Sequence, residues 1–189
     1  MNEPFYVSYL IILSIVLTSM YAWKNERILE HWLEKPYQIA NQGKWYQLFT
    51  SHFIHADWVH LIFNSITLYF FGPVVESIIG LGNFLLVYLF SQIGSGLLTL
   101  IIHRNNPHYS SLGASGAILG ILYLYIVFYP MSPIYLFFIP IGIPSLLFGI
   151  LFLFFSLWGM EGQRFRLSHE GHLGGMMIGI LFGLYFRFF

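Results

Sequence analysis

Gly171-His172-Leu173-Gly174-Gly175-Met176-Met177-Ile178-Gly179-Ile180-Leu181-Phe182-Gly183 carries a glycine at every fourth position of an apolar run. Residues four apart share one helix face, so Gly171, Gly175, Gly179 and Gly183 form a ridge without side chains. In a soluble helix each interior glycine costs stability. In a membrane helix such a face lets a second backbone come close. A shorter counterpart lies in Ser115-Gly116-Ala117-Ile118-Leu119-Gly120, where Gly116 and Gly120 are again four apart. The two ridges predict a pair of closely packed membrane helices.

Composition points the same way. The 189 residues are 57% hydrophobic, 20% aromatic and 8% charged, whereas a soluble domain carries roughly 25% charged residues. Mean hydropathy is +0.71. Eight basic side chains balance eight acidic ones, so nothing points to nucleic acid. The absence of cysteine excludes disulfides, thiol catalysis and thiolate metal sites. The expected class is an all-α polytopic membrane protein, a single domain over residues 1–189. Met1-Asn2-Glu3-Pro4 lacks the basic start of a signal peptide, so the first apolar run is expected to be retained.

Six apolar stretches approach the roughly 20 residues needed to cross hydrocarbon. Span 1 is about Phe5 to Trp23, and span 2 about Trp58 to Ile79 with Asp57 as its cap. A tight turn at Gly80-Leu81-Gly82-Asn83 leads to span 3, about Phe84 to His103. Span 4 runs from near Ser115 to Tyr129-Pro130. Span 5 is about Ile134 to Trp158, and Pro140, Gly142 and Pro144 predict a kink or break in it. Span 6 is about His169 to Phe186. The connector from Lys24 to Asp57 holds most of the charge, with Trp32, Trp45 and Tyr46, and is expected to lie on the membrane.

A few polar residues sit inside this apolar frame. Ser115 opens span 4, where free N–H groups and the positive end of the helix dipole suit an oxyanion. Buried serines in membrane helices more often bond a neighbouring helix. His172 is an ionisable residue inside a span, a functional position by default. It is the type of base a serine nucleophile needs, although a packing histidine is the bland reading. Packing by the glycine ridges brings Ser115 and His172 to the same end of their contact. His60 and Asn64 are four apart on span 2 and share a face. They make a donor pair of the kind that holds an oxyanion, or else a hydrogen-bonded pair that stabilises the bundle. His52 and His55 extend this polar cluster.

This combination resembles the rhomboid family of intramembrane serine proteases. The resemblance rests on His60-x-x-x-Asn64, Gly113-Ala114-Ser115-Gly116 and Gly171-His172-Leu173-Gly174-Gly175. Trp45-Tyr46, Ser51-His52-Phe53-Ile54-His55 and Phe71-Gly72-Pro73-Val74-Val75-Glu76 add to it, and the likeness covers about Gly43 to the C-terminus. It implies a bacterial six-helix core without an extra domain. It also implies a Ser115 nucleophile, a His172 base with no acidic third member, and an oxyanion hole of His60, Asn64 and the Ser115 N–H. The connector would be a half-embedded loop. Span 5 and the loop around Trp158 to Arg166 would form a gate and cap, with Phe137, Phe138 and Phe148 as plugging aromatics. Two positions depart from the pattern: Leu119 stands where many members place an aromatic, and Gln47 where an arginine is usual.

The function implied is cleavage of single-span membrane proteins in the lipid bilayer, without cofactor or metal, in a bacterial inner membrane. Seven of the eight Lys and Arg lie in the first, third and fifth connections. Simple counting would put those connections in the cytoplasm. The resemblance implies the reverse, with the site open to the outside. One alternative is a non-proteolytic relative that holds client helices, which would typically lack the serine or the histidine. Another is a metal or haem protein using the eight histidines, but His169-Glu170-Gly171-His172 lacks the His-Glu-x-x-His spacing of a zinc helix.

Overall fold

The computed structural model describes residues 6–136, 139–160 and 168–189. Helix α1 is Val7–Trp23. Three short helices follow: α2 (Glu26–Trp32), α3 (Pro36–Gln42) and α4 (Gln47–Thr50), then a 3-10 turn at Ser51–Phe53. The long helix α5 is Trp58–His103, α6 is Ser115–Phe128, α7 is Ser145–Met160 and α8 is His169–Phe188. Strands β1 (Pro133–Leu136) and β2 (Ile139–Pro144) stand between α6 and α7.

Asp57 caps α5 as expected, its carboxylate accepting from the His60 N–H at 2.8 Å. The turn expected at residues 80–83 is concentrated on Gly80, whose φ of 78° and ψ of 160° no helix tolerates. Both ends of α5 reach the same end of the bundle. His60 packs on Gly113, and Thr99 bonds Ser168, so the chain doubles back at Gly80. The start of α1 is held by the buried Glu76 carboxylate, which accepts from the N–H groups of Val7 (3.0 Å) and Ser8 (3.4 Å). A carboxylate at a helix N-terminus also complements its dipole.

Helix α6 is the axis of the fold. It is apolar on all sides, and residues Gly116 to Leu124 are buried throughout, as a central helix must be. At 14 residues it is about 21 Å long. The glycine ridges meet as the sequence predicts. A methyl at Gly175 would overlap the Gly116 carbonyl oxygen, and one at Gly179 that of Gly120. A second close approach was not anticipated. Gly174 of α8 lies against the Gly94 carbonyl of α5, and Ser91 and Ser95 of α5 fill the space beside Gly120 and Gly116. Its signal was in the sequence, because Ser91 and Ser95 are another small pair four apart.

Among the described residues two helices, Trp58–His103 and His169–Phe188, are long and apolar enough to cross a membrane. The apolar helices α1, α6 and α7 have 17, 14 and 16 residues. The kink or break expected in span 5, read as about Ile134 to Trp158, takes the form of a strand pair ahead of a shorter helix. In the structure Pro133↔Pro144 and Ile134↔Ile143 are antiparallel partners, and helix begins only at Ser145. Pro133, Pro140 and Pro144 supply no N–H, so a helix here would lack several of its bonds. A two-stranded ribbon tolerates proline on its outer edges. Of the expected gate residues, Phe137, Phe138, Arg164 and Arg166 lie outside the described residues. Phe148 is half-buried on α7 and stacks on Phe152.

Candidate active site

Ser115 is the first residue of α6. The backbone reaches it through Gly113, whose φ of 117° is open to glycine alone. A methyl at Gly113 would lie 2.5 Å from Cε1 of His60, so the missing side chain also admits that ring. The loop before Ser115 is stitched to the connector. Ser111 and Glu34 exchange backbone bonds of 3.0 Å, and the Gly113 N–H donates to Ser51 O at 3.0 Å.

His172 sits on the first turn of α8, whose N-cap Ser168 accepts from the Gly171 N–H at 3.2 Å. The ridge contact brings that turn against the start of α6. His172 Nε2 lies 2.8 Å from Ser115 Oγ. Among the described residues no group bonds His172 Nδ1. With Nε2 accepting from the serine hydroxyl, the neutral ring carries its proton on Nδ1. Leu119, one turn after Ser115, packs with Leu122 and Met176. An aromatic beside the histidine comes instead from α7, where Phe152 stands 6.0 Å from the His172 ring.

His60 packs on Gly113, and Asn64 is linked to Ala114 through His55. His60 Nε2 is buried with no partner among the described residues. Asn64 Nδ2 donates to His55 Nε2 at 2.9 Å, and the Ala114 N–H reaches the same nitrogen at 3.3 Å. Since His55 Nε2 accepts, its proton is on Nδ1, which faces Ser19 Oγ at 3.0 Å. Burial, reinforced by His60 and His52 nearby, pushes the His55 imidazole down to about 3, so it stays neutral. His55 therefore fixes the orientation of the Asn64 amide, a more specific place than the loose extension read from sequence. His52 is also buried and pushed down to about 4 by that burial, and it bonds Tyr88 Oη at 2.8 Å. Gln47, at the departing position, is buried within the connector. Its Oε1 accepts from the Lys35 N–H at 3.1 Å.

Behind Ser115 and His172 is a small cavity lined also by Glu34, Ser95, Ser111 and Ser168, with room for about one water. Sequence reading had left these four out of the site. Glu34 was counted with the surface charge of the connector, yet it is buried while Glu26 and Glu30 are exposed. Its local signal is the apolar pair Trp32-Leu33 before it and Pro36 after it. Among the described residues no three His, Asp or Glu side chains gather as a metal site would require.

A family model described as a rhomboid domain matches residues 42–188. The chain is 32% identical over 152 residues to RHOMBOID-like protein 12, mitochondrial, of Arabidopsis thaliana, covering 72% of this chain and 45% of that protein. It is 33% identical over 141 residues to rhomboid protein 1, mitochondrial, of Saccharomyces cerevisiae, covering 71% and 40%. It is 32% identical over 145 residues to rhomboid protease GluP of Bacillus subtilis, covering 77% and 27%. The chain thus spans less than half the length of these relatives.

Proposed function

The chain belongs to the rhomboid family, and is thereby an integral membrane protein; from that premise we propose that it is a serine endopeptidase cutting transmembrane substrates inside the bilayer. The observation that carries the proposal is the 2.8 Å contact between His172 Nε2 and Ser115 Oγ. A serine hydroxyl is a weak nucleophile until a base takes its proton. In this reading His172 takes that proton as Oγ attacks the scissile carbonyl. It then gives it to the leaving amine, and water hydrolyses the ester that remains. The name of GluP, a rhomboid protease, supports the assignment.

The finer architecture belongs to the same proposal. Residues 1–189 act as one domain, and α5 counts as two spans on either side of Gly80. With α1, α6, α7 and α8 that makes six crossings. Single-span proteins are the substrates, because one helix can approach sideways from lipid. We place the chain in a bacterial inner (plasma) membrane, a reading supported by bacterial relatives such as GluP of Bacillus subtilis.

His60, Asn64 and the Ser115 N–H form the oxyanion hole in this mechanism. Removing one such donor costs about 10²–10³ in kcat. Asn64→Ala is therefore expected to lower kcat by about 10²-fold with little change in KM. His55→Ala should lower kcat by less, about tenfold, because it frees the Asn64 amide to turn without removing it. Steady-state cleavage of a transmembrane substrate in liposomes measures both. Unchanged kcat in Asn64→Ala and His60→Ala alike would assign the pair to bundle stability. The nucleophile is tested by a fluorophosphonate, which should label Ser115 and no other serine. Absence of labelling, with no cleavage of any transmembrane substrate, would favour a non-proteolytic helix-binding protein.

A further inference from the structure

We propose that Glu34, reaching in from the connector, is a positioning residue that holds the water that hydrolyses the acyl-enzyme. The inference rests on the Ser115–His172 reading above. Glu34 is 5% exposed, although it belongs to the most charged stretch of the chain. Its backbone is locked to Ser111 in an antiparallel bridge. Oε2 accepts from Ser111 Oγ at 3.1 Å, while Oε1 has no partner among the described residues. A buried carboxyl oxygen without a partner is costly and calls for an explanation. Glu34 lines the same cavity as Ser115 and His172, and that cavity has room for about one water. The terminal torsion of a glutamate is soft, so a small turn presents the free oxygen to that water.

The groups around Glu34 keep it uncharged. Burial lifts its carboxyl to about 8, opposed by the Ser111 bond and helped by the charge of Glu170 at the start of α8. The other titratable neighbours are His172 on α8 and Tyr109 on the loop before α6. His52, on the 3-10 turn, is occupied by Tyr88. Lys35 follows in sequence but turns to Glu30 at 2.5 Å, so among the described residues no cation balances a charge here. The neutral acid accepts on Oε2 and carries its O–H on Oε1.

Deacylation then balances as follows. The water oxygen accepts a hydrogen bond from Glu34 Oε1–H and gives a proton to His172 Nε2. It forms a bond to the acyl carbon. The bond from that carbon to Ser115 Oγ breaks as His172 returns the proton to Oγ, and an acid is released. Glu34 neither gains nor loses a proton. Ionised, it has no O–H to offer and sets a negative charge beside a developing oxyanion. Activity should therefore fall as pH rises through about 8, by about tenfold between pH 7 and pH 9.

The test compares wild type, Glu34→Gln and Glu34→Ala as full chains in liposomes with a transmembrane substrate. Glutamine copies the neutral acid, accepting on Oε1 and donating from Nε2, and does not titrate. Its ratio of kcat at pH 9 to kcat at pH 7 should exceed that of wild type by at least about threefold. Alanine should slow deacylation by about tenfold, so that substrate-derived acyl groups accumulate on Ser115 in intact-mass spectra. If alanine prevents folding, the glutamine profile alone decides. A wild-type pH profile in Glu34→Gln overturns the assignment. A parallel Ser115→Ala control separates the two levels. If that variant still cleaves, the serine mechanism itself is wrong. If it is inactive while Glu34→Gln keeps the wild-type profile, only the role of Glu34 is lost.

Discussion

Ser115→Ala is expected to lose about 10⁴–10⁶-fold in the rate of cleaving a transmembrane substrate, while its thermal midpoint stays within about 4 °C of wild type. The asymmetry follows from what is removed. One hydroxyl and one 2.8 Å hydrogen bond to His172 disappear. A net bond of that kind is worth about 1 kcal/mol to stability. The helix start keeps its shape, because Gly113 and the Glu34–Ser111 bridge set the backbone there rather than the serine side chain. The chemistry has no substitute, since no nucleophile remains at that position. His172→Ala should fall by a similar factor, and the double variant no further, because the two residues act as a unit. Gel-based initial rates, with fluorophosphonate labelling of wild type and of neither variant, check both. Cleavage by Ser115→Ala at the wild-type rate would end the serine mechanism.

Gly175→Val is expected to lower stability by about 3 kcal/mol, at the upper end of overpacking costs, and to abolish activity with it. The added carbon would fall on the Gly116 carbonyl oxygen. Backbone cannot swing aside as a side chain does, so α8 must move from α6. Gly116 follows Ser115, and Gly175 lies one turn after His172. The same displacement therefore opens the dyad. In thermal unfolding the loss corresponds to about 6–12 °C. Two internal comparisons make the prediction specific. At Gly183 an added methyl would stand 3.0 Å from Val127 Cβ and 3.3 Å from Leu124 Cα, tight but farther than the overlap at Gly175, so Gly183→Ala should cost less. At Gly82 nothing lies within 4 Å, and Gly82→Ala should be neutral or stabilising. Equal midpoints for Gly175→Val and Gly82→Ala would mean that the ridge faces lipid.

The helix pairing was legible because it depends on a period. Gly171, Gly175 and Gly179 announce their face by spacing alone, and Gly116 and Gly120 answer it. The Ser115–His172 contact was legible through the same ridges, which set the two helix starts side by side. The β1–β2 ribbon was not. Apolar residues alternating with prolines satisfy both a broken span and a two-stranded edge, and only the pairing of Pro133 with Pro144 decides. The role of His55 was also beyond sequence reading, since it depends on three elements meeting: Ser19 from α1, Asn64 from α5 and Ala114 before α6. Glu34 was hidden by its company, because a charge among charges reads as surface.

The length of α6 has a consequence for the lipid. A helix of about 21 Å is shorter than a hydrocarbon layer of about 30 Å, so part of that crossing falls to the non-helical residues at its ends. With its Phe128 end at one boundary, its Ser115 end stops about 9 Å short of the other. In the proposed mechanism Ser115 is thus a fixed depth gauge inside the bilayer, while a substrate helix floats with the thickness of the surrounding lipid. Short-chain lipids lift a given peptide bond relative to Ser115, and long-chain lipids sink it. The choice of bond to be cut then becomes a property of the membrane as much as of either protein.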